Sequence, residues 1–313
     1  MLAALAIVAV LILVGGAFAA VRLLGRHHDS AAAPAAAHPA AATGTGFSGM
    51  YRADYGPCTD LEGTALPNVP GTTSAWNVRA SCASGGCIAN AAYSGKSAAV
   101  VAPNLTFDQI GSEWVAVATG SVQCNNAPIE SWVVFTLTPR PDGTLTGETV
   151  RATTNGCSIG KRAVTFTRTG DGDPSAVPDP ATLPPRTASL ATTLRGRYHE
   201  NIVYANGNFP PGSPDLQVRT QCLRTGDRCI SVFHASDGDV TLVFANGKWT
   251  RNEEGTVPCS RTGTTQLKIT ADFPMPEPLL DPISSLDGHG QSTSANGECT
   301  GGDFTDKFVR TGD

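Results

Sequence analysis

Short runs in which apolar and polar residues alternate recur along the chain from Trp76 onward. Trp76-Asn77-Val78-Arg79-Ala80 puts Trp76, Val78 and Ala80 on one side, and Val164-Thr165-Phe166-Thr167-Arg168 alternates in the same way. Period-two alternation is the mark of a half-buried strand. Trp132 to Leu137 is β-branched and aromatic, and Leu216–Arg219, Ile230–Phe233, Thr241–Phe244 and Gln266–Thr270 read as further strands. Pro141-Asp142-Gly143, Asp237-Gly238 and Asn246-Gly247 are hairpin turn signals between such runs. The pattern predicts an all-β chain built of antiparallel barrels or sandwiches. An opening and a terminal strand of similar length could pair to close each barrel.

The amino terminus breaks this pattern. Leu2 to Val21 carries no charge and is rich in Ala, Val, Leu and Ile. About 20 apolar residues suffice to cross a bilayer, so residues 1–26 are expected to form one transmembrane anchor. Ala17-Phe18-Ala19 resembles a signal-peptide cleavage site, but the apolar run is long for a signal and no basic segment precedes it. Residues 27–46 are dominated by Ala with Pro34 and Pro39, a composition for a stalk rather than a core. Residues 172–193 contain five prolines, Pro174, Pro178, Pro180, Pro184 and Pro185, and read as an extended spacer and no more.

What lies on either side of the spacer is the same text twice. Gly49-Met50-Tyr51 is answered by Gly196-Arg197-Tyr198, and Val78-Arg79-Ala80-Ser81-Cys82 by Val218-Arg219-Thr220-Gln221-Cys222. Trp114 and Trp249 each stand ten residues before a cysteine, Cys124 and Cys259. The units close on Phe166-Thr167-Arg168-Thr169-Gly170-Asp171 and Phe308-Val309-Arg310-Thr311-Gly312-Asp313. A period of about 145 residues is domain-sized, far beyond a solenoid repeat. Two homologous β domains are expected, over residues 47–171 and 194–313.

The repeat also sorts the nine cysteines. Eight fall into matched sets of four, and the short spacings suit clips across hairpins. The expected bridges are Cys82–Cys87, Cys124–Cys157, Cys222–Cys229 and Cys259–Cys299. Zinc would need paired Cys or His knuckles that these spacings do not offer. Cys58 is left over, a candidate for a bond between two chains that would make a homodimer. Disulfides require an oxidising compartment, so both domains are expected outside the cell membrane. Arg22 and Arg26 follow the apolar run and pull the other way under the positive-inside tendency. Eight matched cysteines outweigh two arginines, and a basic segment ahead of the chain would reconcile the two.

Net charge is −5 with no basic run, which excludes a nucleic-acid partner. Gly-x-Ser-x-Gly, His-Glu-x-x-His, Walker and kinase motifs do not occur. His199, His234 and His289 stand near Glu200, Asp237, Asp239 and Asp287 in the second unit only. A catalytic module repeated twice should carry its residues in both copies, so no catalytic residue, metal or cofactor is expected. The matched candidates for ligand binding are Arg79 and Arg219, beside the cysteine clips, and Trp114 and Trp249, although an arginine there can equally pair locally and a tryptophan can equally be core.

The Gly-x-Tyr opening, Trp76–Cys82, Thr138-Pro139-Arg140-Pro141-Asp142-Gly143-Thr144-Leu145, Gly196-Arg197-Tyr198-His199 and the doubled Phe-x-Arg-Thr-Gly-Asp resemble the extracytoplasmic regions of mycobacterial receptor-type serine/threonine kinases and related stand-alone membrane proteins. The likeness covers roughly residues 47–313 and carries no kinase activity. It implies a single-pass, membrane-anchored, non-catalytic sensor or binding ectodomain for an envelope small molecule, lipid, glycan or protein. The alternative is a structural or assembly protein of the envelope. An apolar barrel cavity with Arg79 or Arg219 at its rim would favour binding; filled interiors and a large apolar patch would favour assembly.

Overall fold

The computed structural model describes residues 46–95, 101–207, 214–236, 238–259, 263–294, 297, 299 and 301–313. The expected anchor, and the stalk as far as residue 45, lie outside the described residues. Among those described, no helix is long and apolar enough to cross a membrane.

The alternating runs become sixteen strands. Barrel 1 is formed by β1 (Gly49–Tyr55), β2 (Thr72–Ala83), β3 (Gly86–Tyr93), β4 (Asn104–Ile110), β5 (Glu113–Cys124), β6 (Ala127–Pro139), β7 (Leu145–Thr153) and β8 (Ile159–Gly170). Barrel 2 is formed by β9 (Gly196–Tyr204), β10 (Asp215–Cys222), β11 (Cys229–Ala235), β12 (Gly238–Ala245), β13 (Lys248–Cys259), β14 (Gly263–Pro274), β15 (Ser285–Ser294) and β16 (Gly302–Gly312). Each strand pairs antiparallel with its sequence neighbour, and the last strand returns to the first. Closure removes every sheet edge. Asn246 and Gly247, at φ 54° and 78°, make the tight turn from β12 to β13, the type I′ geometry that matches strand twist.

The doubled motifs are the devices that close the barrels. Gly49 has φ +125°, and a β-carbon there would stand 2.6 Å from the Gly170 carbonyl oxygen. Gly196 has φ +104°, with the Gly312 carbonyl oxygen at 2.5 Å. The last strand therefore crosses directly over a glycine at the start of the first. Tyr51 donates its hydroxyl to the Gly46 carbonyl at 2.9 Å, and Tyr198 donates to Ile283 at 2.6 Å. Arg168 donates to the Ser48 carbonyl and pairs with Asp171, as Arg310 pairs with Asp313.

Inside barrel 1, Phe47 stacks 5.1–5.3 Å from Tyr51, Phe107 and Trp114. Phe233, Trp249, Phe273 and Phe308, all fully buried, fill the matching end of barrel 2. Disulfides join Cys82 to Cys87, Cys124 to Cys157, Cys222 to Cys229 and Cys259 to Cys299.

The proline-rich segment differs from the plain spacer the sequence predicts. Its Asp173, Asp179 and Ser189 side chains cap three short 3-10 turns, Pro174–Ala176, Pro180–Thr182 and Leu190–Thr193. Val177 is buried, and Asn77 and Asn90 of barrel 1 donate to the carbonyls of Asp173 and Pro178. Proline cannot join a sheet ladder, but its carbonyl remains an acceptor. Asparagines on the barrel wall supply the missing donors, so the segment lies against barrel 1.

The barrels also touch. Trp132 and Ala152 of barrel 1 and Ile230 of barrel 2 share a small apolar cluster. Asp108, on β4, accepts from Arg186 of the proline-rich segment at 3.1 Å and from Arg224 of barrel 2 at 2.9 Å.

Candidate functional site

Opposite its aromatic plug, barrel 1 keeps an interior cavity of about 410 Å³. Eight strands leave room either for a filled core or for one small ligand, and here the inward residues leave space. Trp76 and Phe135 form apolar wall, and Tyr55 and Tyr93 add aromatic edge. The Tyr55 hydroxyl accepts from Trp76 Nε1 at 3.3 Å, and burial pushes its pKa up.

Two arginines share this cavity. On β7 the buried Leu145 and Thr149 point inward, and the two-residue period carries Arg151 to the same side. On β8 the same period, run back from Phe166 and Val164, turns Arg162 inward. Arg162 Nη1 donates to the carbonyls of Gly56 and Pro70, both at 2.8 Å, and so pins the segment between β1 and β2 over the barrel end. Lys161 Nζ donates to Leu61 of the same segment at 2.7 Å. Arg151 makes no hydrogen bond or ion pair among the described residues. Among the described residues, no carboxylate lines the cavity.

Cys58 is in the cavity wall, 8% exposed. The expectation of an interchain bond meets this burial: the thiol faces inward, and such a bond requires residues 56–71 to lift away.

Barrel 2 is filled where barrel 1 is open. Strand register makes Ala53, Ala116 and Val164 the counterparts of Glu200, Arg251 and Asp306. Those three are buried and meet as an ionic cluster, with Arg251 Nη1 3.4 Å from Glu200 and 3.5 Å from Asp306, and Nη2 2.8 Å from Glu253. Burial first, and then the Glu200 carboxylate, push the Asp306 pKa up to about 8. Arg151 corresponds to Ser292, and Arg162 to Phe304, whose ring lies where a β-carbon on Gly290 would be. A larger concavity of 660 Å³ on barrel 2 is walled by outward-facing Thr270, Asp272, His289, Gln291 and Asp303.

The residues singled out by sequence do not converge. Arg79 faces outward and pairs with Asp179 at 2.5 Å. Arg219 lies in a 240 Å³ groove between the barrels, 3.9 Å from Glu148. Trp114 and Trp249 belong to the aromatic plugs. His199 contacts Asp215 and His234 contacts Asp239, on different strands, and no group of His, Cys, Asp and Glu among the described residues is arranged to hold a metal. Arg151 and Arg162 do not stand out in the sequence, because neither is matched between the two copies. The alternation beginning at Leu145 was the signal that could have found them.

The architecture is two tandem eight-stranded antiparallel β-barrels, with the interior of barrel 1 partly open and that of barrel 2 filled. Residues 44–182 match the family model of the PknI serine/threonine-protein kinase sensor domain. The match runs past β8 and takes in the two proline-rich turns held by Asn77, Asn90 and Arg79. The resemblance to extracytoplasmic regions of mycobacterial kinases is thereby shown over barrel 1. Among solved structures, the chain is similar to the monomer form of the M. tuberculosis PknI sensor domain, with 26% identity over 43% of this chain and 96% of that one (TM-score 0.34). The dimer form of the same domain shares 24% identity over 38% and 86% (TM-score 0.30). A DUF3598-family protein of unknown function from Nostoc punctiforme shares 12% over 84% and 96% (TM-score 0.24). No curated protein matches.

Proposed function

We propose that the chain is a non-catalytic, extracytoplasmic sensor or binding ectodomain, held at the membrane by its apolar amino-terminal segment, and that it takes its ligand into the end of barrel 1. The observation that carries this reading is the 410 Å³ cavity, lined by aromatics with a few polar groups. That volume is in the range of about 300–1,000 Å³ usual for small-molecule sites. The sensor-domain match lies over the same barrel, and the four disulfides support an oxidising compartment. An assembly role has less support: the exposed large apolar residues Ile110, Leu190, Val203 and Leu280 stand on separate elements rather than in a patch.

The test is native mass spectrometry of the full chain extracted from membranes, beside a Thr149→Phe variant that fills the cavity. The wild type should carry a bound molecule that the folded variant lacks. Identical bound species on both proteins, or apo protein from every preparation, would remove the cavity as the site.

A further inference from the structure

We infer that the barrel 1 cavity receives an amphipathic oxyanion, its apolar body against Trp76 and Phe135 and its carboxylate or phosphate head on Arg151. This rests on the binding role proposed above and names the ligand's chemistry.

Two guanidinium groups share an interior space that, among the described residues, no carboxylate lines. Arg151 is half-buried and its guanidinium is met by solvent rather than by the protein, so a counter-charge with hydrogen-bond acceptors would find its donors unclaimed. Arg162 is already committed through Nη1 to the carbonyls of Gly56 and Pro70. It closes the cavity and adds positive potential. Arg151 has its whole fork free among the described residues. A planar guanidinium fork matches carboxylate and phosphate oxygens two at a time, which is why arginine serves such sites.

Barrel 2 is the internal control. Arg251, an interior arginine of its middle layer, is surrounded by Glu200, Glu253 and Asp306, so its charge is met by the protein itself. The same fold thus neutralises an interior cation in one copy and leaves cations unneutralised in the other. The rest of the barrel 1 wall sets the ligand's other half. Val133, Phe135 and Trp76 offer apolar surface, while Thr149 and the Tyr55 hydroxyl give neutral polar contacts. A small hydrophilic anion would leave that surface uncovered, and a neutral hydrocarbon would leave Arg151 unmatched.

The probes are decanoate, decyl phosphate and decanol, titrated calorimetrically into the full chain and into Arg151→Met and Arg79→Met variants. Decanoate or decyl phosphate should bind about tenfold or more tightly than decanol, as charged hydrogen bonds of ordinary strength require. Whichever anion binds better identifies the head group. Arg151→Met should bring the anion down to the level of decanol, and Arg79→Met, which removes a charge outside the barrel, should leave the preference intact. If Arg151→Met does not fold, the wild type supplies the second measurement: added salt should weaken anion binding and leave decanol unchanged. Equal binding of decanol and the anions overturns the head-group assignment while the binding role stands. No binding of any of the three overturns both.

Discussion

Arg228 of barrel 2 forks onto Glu130 of barrel 1 through hydrogen bonds of 2.9 and 2.8 Å, with its guanidinium 5.5 Å from the centre of the Trp132 ring. Two parallel bonds fix orientation as well as distance, and Trp132 anchors the apolar cluster shared by the barrels. Both partners are partly exposed, so solvent screens the pair. A double-mutant cycle of Glu130→Gln and Arg228→Met should return a coupling of about 1 kcal/mol in urea unfolding. Additive effects would show that the barrels touch there without depending on the contact.

The contact that closes barrel 1 predicts a difference between two glycines that both have positive φ. At Gly49 a methyl group would meet the Gly170 carbonyl oxygen at 2.6 Å, whereas at Gly143, φ +83°, nothing lies within 4 Å. Gly143→Ala should cost only the strain of a left-handed alanine, about 1 kcal/mol, and Gly49→Ala should cost more, up to about 3 kcal/mol, because the closing strand must also move. Equal losses in thermal or urea unfolding would place the closing contact elsewhere.

Much of the fold was legible because the strands alternate cleanly and the turns carry Asn-Gly or Asp-Gly. The paired closing motifs were legible as repeats, and in each barrel the first-strand glycine, Gly49 or Gly196, lies against a carbonyl of the closing strand, although Tyr51 and Tyr198 donate to different segments and Arg310 Nε lacks the bond that Arg168 Nε makes to Ser48. The cavity was hidden for the same reason. Its arginines occupy positions where the copies differ, Arg151 against Ser292 and Arg162 against Phe304. A reading that seeks matched residues finds the scaffold. The packing of the barrels and of the proline-rich segment was not legible, since Asn77, Asn90 and Asp108 become partners only across long separations.

The ionic cluster in barrel 2 makes stability depend on pH with a definite sign. Asp306 is 1% exposed, its Oδ1 meets no partner, and its pKa is pushed up to about 8. An unfolded aspartate releases its proton near pH 4. Between those values the native state holds a proton that the unfolded chain has lost, shared with the neighbouring Glu200. Stability therefore falls as pH rises from about 4 toward 8. Asp306→Asn should flatten this dependence and make the variant the more stable protein at pH 8. Parallel curves for the two proteins between pH 5 and 8.5 would assign the proton to another group.

The disulfides should differ in worth according to the chain they close. Cys124–Cys157 spans 33 residues and Cys82–Cys87 spans five. Loop-closure entropy gives about 3.7 kcal/mol for the longer and about 2 kcal/mol for the shorter. Replacing Cys124 and Cys157 by serine should lower urea stability by more than replacing Cys82 and Cys87. The reverse order would mean that the short clip acts through the hairpin's native geometry.

Arg79 and Arg219 stand at equivalent strand positions and have become different things. Arg79 pairs with Asp179 and donates to the Pro174 carbonyl at 3.4 Å, across the outside of barrel 1. Arg219 has only the 3.9 Å approach to Glu148 as an ion pair, with three-quarters of its side chain exposed. Removing the first should loosen residues 174–182 on the barrel wall without opening the barrel, because the hydrogen bonds of Asn77 and Asn90 and the buried Val177 are left to hold the segment. Proteolysis depends on how often a segment leaves its docked state. Arg79→Ala should therefore be cleaved within 174–182 several-fold faster than wild type, while Arg219→Ala is cleaved at the wild-type rate and both retain the same far-ultraviolet dichroism. If the two variants are cut equally fast, the guanidinium of Arg79 is not what docks the segment, and Asn77 and Asn90 must carry it.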